Sequence, residues 1–131
     1  MSEEKYIVFS VKNKLFGIDT MMLINVVNTP EVVRLPFVHS ELKGVMLVDT
    51  GPVPVFSFAD GASGKFAVLV DSQWGLLGIL ADDVFGIIDK ESLKISEDAG
   101  SDSIGELSGR RVFRPDLKGV LDTVAGTREK N

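Results

Sequence analysis

Few residues in this chain have the type and spacing to do chemistry. The clearest are Val48-Asp49-Thr50-Gly51, an apolar residue followed by Asp-Thr-Gly. A carboxylate held at a tight turn and facing a second carboxylate shares one proton with it, and such a pair can activate water. With one motif in the chain, the second carboxylate would have to come from a second copy. Asp82, Asp83 and Asp89 form a second acidic group, but their spacing is not that of a calcium-binding loop, and a solvated turn accounts for them. His39 is the single histidine and there is no cysteine. A thiol nucleophile is thereby excluded, and so is an ordinary zinc site built from several His or Cys ligands. We read His39 as an exposed loop residue. Arg110, Arg111 and Arg114 form a basic cluster, either a docking patch or the charged rim of a sheet. Trp74 falls in a turn, where it reads as a lid over the end of a core rather than an exposed binding anchor. Met21 and Met22 read as packing residues of a short helix.

The composition narrows the classes further. At 131 residues, 44% hydrophobic and 25% charged, the chain has the make-up of one globular domain with a real core. Its formal net charge of -5 disfavours a nucleic-acid backbone or an anionic membrane surface as partner. A small nucleic-acid-binding barrel is disfavoured on the same ground and by the lack of a basic-aromatic face. Nothing at the start of the sequence reads as a signal-peptide core, and no apolar run reaches membrane-spanning length. The expectation is a cytoplasmic protein with no membrane insertion.

The elements that must position these residues are mostly short strands. Tyr6–Val11 and Leu15–Ile18 make a hairpin across Lys12-Asn13-Lys14, where Asn tolerates a left-handed backbone. Asp19 is placed to cap a short helix over Thr20–Val27, with Leu23, Val26 and Val27 on one face. Glu31–Leu35 reads as a strand with Val33 and Leu35 inward. The central feature is a second hairpin. The apolar runs Val45–Val48 and Val53–Phe58 flank the turn chemistry of Thr50-Gly51-Pro52, which puts Asp49 at the tip. A third hairpin joins Phe66–Val70 to Leu76–Leu80. After Asp82-Asp83, an apolar stretch leads to a short strand at Leu93-Lys94-Ile95. The acidic segment Glu97–Gly105 reads as mobile. Arg111–Phe113 and Val120-Leu121 close the fold. No internal repeat of fixed period is visible. The pattern predicts a mainly β protein of nine or ten short strands, their patterns split around residue 60, arranged as small barrels or a sandwich.

An ordered series of short motifs resembles the CheW-like domain of bacterial chemotaxis coupling proteins. It runs Tyr6-Ile7-Val8-Phe9, Phe16-Gly17-Ile18-Asp19, Leu23 with Val26, Arg34-Leu35-Pro36 and Leu42-Lys43-Gly44-Val45. It continues through Val53-Pro54-Val55, Gly78-Ile79, Asp82-Asp83-Val84 and Val120-Leu121-Asp122. The likeness covers about residues 6 to 126 of a single domain, with tails at 1–5 and 127–131. It implies two intertwined five-stranded β-barrels with one or two short helices, no enzymatic activity and no cofactor. It also implies an adaptor that bridges a methyl-accepting chemoreceptor and a histidine kinase of CheA type, monomeric or only weakly self-associating. The implied partner contacts are Val45, Leu47, Asp49 and Val55. Two departures stand out. The family's Asn-Leu-Arg-Gly reads Leu47-Val48-Asp49-Thr50 here, so Asp49 replaces an Arg, and the Asp after the next strand falls on Ser57. A partner carboxylate fitted to that Arg would be repelled.

The alternative is a homodimeric, retroviral-type aspartic protease built on Val48-Asp49-Thr50-Gly51. Against it, Pro52 follows where those enzymes place Ala or Ser, and Gly109-Arg110-Arg111 is a poor match for their later apolar-Gly-Arg segment.

Overall fold

The computed structural model describes residues 4–34, 42–49, 51–58, 64–72, 75–93, 103–115 and 117. The strands are β1 (Lys5–Val11), β2 (Lys14–Asp19), β3 (Leu23–Asn28), β4 (Val32–Val33), β5 (Leu42–Val48), β6 (Gly51–Phe56), β7 (Phe66–Ser72), β8 (Gly75–Ala81), β9 (Asp83–Asp89), β10 (Ser103–Leu107) and β11 (Arg110–Phe113). A 3₁₀ turn covers Lys90–Ser92 and Leu117 is helical. The strands form two sheets, of order β10-β11-β2-β1-β9 and β3-β7-β8-β6-β5-β4. Each sheet curls into a small barrel-like unit, and the two-residue β4 is a sixth strand on the second.

The two sheets repeat one plan that the sequence does not display as a repeat. In the first, the β1-β2 hairpin lies between β9, antiparallel to β1, and β11, parallel to β2. In the second, the β7-β8 hairpin lies between β3, antiparallel to β7, and β6, parallel to β8. The hairpins β10-β11 and β5-β6 complete the two plans, each with a register shift just before a glycine, at Gly105 and at Gly44. The outer strands carry a matching bulge. Ile24 is the extra residue of β3, between Leu23 and Asn25, and Phe85 that of β9, between Val84 and Gly86. Val55 and Val112 also correspond, both fully buried beside a glycine, Gly78 and Gly17 respectively.

The expected split at residue 60 is therefore incorrect. The chain begins in the first sheet, crosses to the second for β3 to β8, and returns with β9. Where the sheets meet, an apolar run is buried on two faces. In β1 every residue from Tyr6 to Val11 is buried. Tyr6 and Val8 pack inside the first barrel with Leu15, Leu93 and Val112. Ile7, Phe9 and Val11 face the other way and join Phe16, Phe56, Val68, Val70, Leu77 and Ile79 in a core common to both sheets. A strand buried on both sides reads as a continuous apolar run rather than an alternating one. Phe16 packs into this shared core, with ring centroids 5.9 Å from Phe9 and 5.2 Å from Phe58. The second barrel has its own interior, built on Met46, Val53, Val55, Ala67 and Leu69.

Several further expectations are corrected. The helix over 20–27 is instead a single turn followed by β3. Asp19 does cap, since its Oδ1 accepts the Met21 amide at 2.9 Å and its carbonyl accepts the Met22 amide. The chain then extends, because Ile24, Val26 and Val27 are β-branched and the strand pairs with β7, Val26 to Val68 and Val27 to Ala67. Met22 packs against the shared core, whereas Met21 is 91% exposed. Val33 points outward, 53% exposed, while Val32 packs on the second barrel's interior. Ser103–Gly105, expected to be mobile, open β10. Leu93 is a buried bend residue rather than part of a strand. The readings of Leu35, His39, Trp74, Lys94-Ile95 and Val120-Leu121-Asp122 fall outside the described residues.

Candidate functional site

The β5-β6 hairpin has the expected position, and its register sorts its side chains. Directly paired residues share a face of a sheet. Met46 pairs with Val53 and both are buried, at 2% each. The neighbouring rows point the other way. Leu47, 70% exposed, pairs with the exposed Pro52. Val45 pairs with Pro54 on one side and with Val33 of β4 on the other. Val33, Val45, Leu47, Pro52 and Pro54 therefore make one outward apolar surface across β4, β5 and β6. A proline donates no amide hydrogen and is unusual in an inner strand. Here the pairing of β6 with β8 starts at Val55, past both prolines.

Val33 and Leu47 also border a groove of about 240 Å³, floored by Met46 and walled by Val27, Val48 and the Thr29-Pro30-Glu31 link between β3 and β4. The groove opens where the two outer strands of the second barrel approach each other. Gly44 fixes β4 against β5 there. Its φ is 153°, and a Cβ at that position would lie 2.1 Å from the carbonyl oxygen of Val33.

Of the four residues expected to contact a partner, Val45, Leu47 and Asp49 lie together, Val45 and Leu47 on this surface and Asp49 exposed at the turn beyond it. Val55 does not join them. It is fully buried inside the second barrel, because Pro54 and Val55 alternate and the proline takes the outer side. Sequence reasoning misses Val33, Pro52 and Pro54. The alternation Pro52-Val53-Pro54-Val55 is the available signal, prolines outward and valines inward. Ser57, the second departure, is buried at 3%.

The first barrel exposes its own apolar side chains on the outer strand β9. Residues 83 to 89 alternate between exposed and half-buried, and the exposed set is Asp83, Phe85, Ile87 and Asp89. Phe85 is 49% and Ile87 56% exposed. On the corresponding strand β3, the equivalent bulge residue Ile24 is 53% exposed. Both bulges thus turn a large apolar side chain toward solvent. Among the described residues no group of His, Cys, Asp or Glu is placed to hold a metal ion, and no helix is long and apolar enough to cross a membrane.

No family model matches the chain, and no curated protein matches it. Its fold does match a solved structure, that of the scaffolding protein TtCheW from Thermoanaerobacter tengcongensis. The two superpose with a TM-score of 0.69 at 17% identity, over 88% of this chain and 90% of the other. The comparisons bring no support to the aspartic-protease alternative.

Proposed function

We propose that this chain, which has the CheW-like fold, is a non-enzymatic adaptor that works as a single unit over about residues 6 to 126 and holds two protein partners together. In this reading one partner is the regulatory domain of a histidine kinase of CheA type and the other a chemoreceptor, met in the cytoplasm. The observation that carries the reading is the duplicated plan of the fold. Two barrels share a core, and each presents exposed apolar residues on outer strands. Single exposed apolar residues are ordinary on a protein surface, but contiguous apolar surface marks interaction sites. The β4-β5-β6 surface, with Val45 and Leu47 in it and Asp49 at its end, is one docking face, and Val55 supports it from below. Phe85 and Ile87 on β9 form the second.

Because Asp49 replaces the family's Arg, the partner fitted to this chain presents a neutral or basic group there. The test is calorimetric titration against a kinase regulatory domain and a receptor fragment. Leu47→Asp should abolish one interaction and Phe85→Asp the other, each leaving the second intact. Loss of neither, or of both with either variant, would reject the two-face adaptor.

A further inference from the structure

The basic residues that the adaptor reading leaves unused are brought together by the fold in a way their sequence positions do not show. β11 runs parallel to β2, with Val112 beside Leu15 and Phe113 beside Phe16. That register sets Arg111 beside Lys14, and the Ser108-Gly109 turn beside the Lys12-Asn13 turn. All four turn residues have positive φ, between 51° and 79°. These are tight hairpin turns that hold their flanking residues in fixed positions.

Two of the cations are also anchored. The Lys14 Nζ lies 4.3 Å from the centroid of the Phe113 ring, a cation–π contact. The Arg110 guanidinium donates to the backbone carbonyl of Asn13. Neither contact supplies negative charge. Among the described residues, Lys14, Arg110 and Arg111 have no carboxylate bonded to them. Of the nearby acids, Asp82 accepts the Lys12 amide at 2.7 Å and Asp83 of β9 pairs with Ser10. Glu106 is the cross-strand partner of Arg111 and shares its face of the sheet, with no ion pair between them. Arg114 is not part of the group. It lies at the other end of the strand, near Lys90. The hydrogen bond and charge of Glu4 raise the proton affinity of Lys90, and Arg114 lowers it.

We propose that Lys14, Arg110 and Arg111, with Lys12 at their border, form a docking site for an acidic segment of a partner protein. Holding like charges side by side costs stability unless an anion relieves it; Glu106 offsets this in part at Arg111, and the anchored geometry leaves the place beside Lys14 and Arg110 to a ligand. A protein carboxylate segment fits better than a nucleic acid. The chain carries a net charge of -5, which opposes a long polyphosphate while permitting a short-range contact with a few carboxylates, screened beyond about 10 Å at ordinary salt.

The experiment is a ¹⁵N nuclear magnetic resonance titration with deca-glutamate, and in parallel with single-stranded deoxyadenylate of equal length. Deca-glutamate should shift the amides of residues 12–14 and 108–113. The double variant Lys14→Glu, Arg111→Glu should weaken binding about tenfold or more, since attraction becomes repulsion, with its dispersed spectrum unchanged. Arg114→Glu should leave the affinity as it is. Absence of shifts at these residues, equal weakening by Arg114→Glu, or tighter binding of the deoxyadenylate would overturn the proposal. None of these outcomes depends on whether the chain binds a kinase or a receptor.

Discussion

At the scale of single residues, the contrast between Leu47 and Val55 separates surface from support. Both are apolar and both fall in strands of the same hairpin. Leu47→Asp adds a charge to a side chain that is 70% exposed, so the melting temperature should change little while partner binding is lost. Val55→Asp places a carboxylate in a fully buried site. A buried unpaired charge costs several kcal/mol or more, against a total stability of about 5–15 kcal/mol for a domain. Thermal denaturation should show that variant unfolded at room temperature, and a cooperative transition near the parent's would refute the placement. Asp49 tests partner charge. Exposed charges contribute about 0–1 kcal/mol to stability, so Asp49→Asn and Asp49→Arg should both melt like the parent. Titration should show Asp49→Arg binding a standard kinase regulatory domain more tightly. A weaker interaction would mean that the exchange at this position does not select the partner. Apolar identity is legible in the sequence at this scale, whereas the side of the sheet is not. A run such as Val45-Met46-Leu47-Val48 does not say which residues face inward, and only the pairing of Met46 with Val53 and of Leu47 with Pro52 decides it.

At the scale of elements, three hairpins are legible because turn chemistry and flanking apolar runs agree. The Lys12-Asn13 turn, with φ values of 51° and 70°, is of the tight kind whose twist suits adjoining strands. The segment 20–27 misleads because its apolar spacing fits a helix as well as a strand. What decides it is long-range pairing with β7, a partner some forty residues away in sequence. The Ser103–Gly105 segment misleads for the same reason, since its composition is that of a loop and its partner is β11. Gly44 tests how β4 is held. Its φ of 153° and the Val33 carbonyl oxygen, which an added Cβ would meet at 2.1 Å, leave no room for a side chain. Gly44→Ala should displace β4 and cost about 1–3 kcal/mol in strain. Hydrogen exchange should show faster exchange in β4 and its pairing partners in β5, with the β1-β2 hairpin unaffected. Unchanged protection at Val32 and Val33 would show that β4 does not depend on this contact.

At the scale of the whole molecule, the shared core makes the two barrels one folding unit. Ile7, Phe9 and Phe16 from the first sheet pack with Phe56, Val68 and Ile79 from the second. The first barrel draws on both ends of the described chain. Fragments 1–60 and 61–131 should therefore each lack a cooperative melting transition when made separately, and a sharp transition in either would contradict a common core. This interleaving is not legible in the sequence, because the two halves of the plan share topology and bulge positions without sharing a repeated motif. The isolated chain should sediment as a monomer, since its exposed apolar surfaces face other partners in the adaptor reading.

In the adaptor reading one chain holds two different proteins at once. Sedimentation velocity of the chain mixed with a kinase regulatory domain and a chemoreceptor fragment tests it most directly. A ternary species should form, which Leu47→Asp and Phe85→Asp each reduce to a different binary complex. Competition between the two partners for one site, with no ternary species at saturating concentrations, would contradict it.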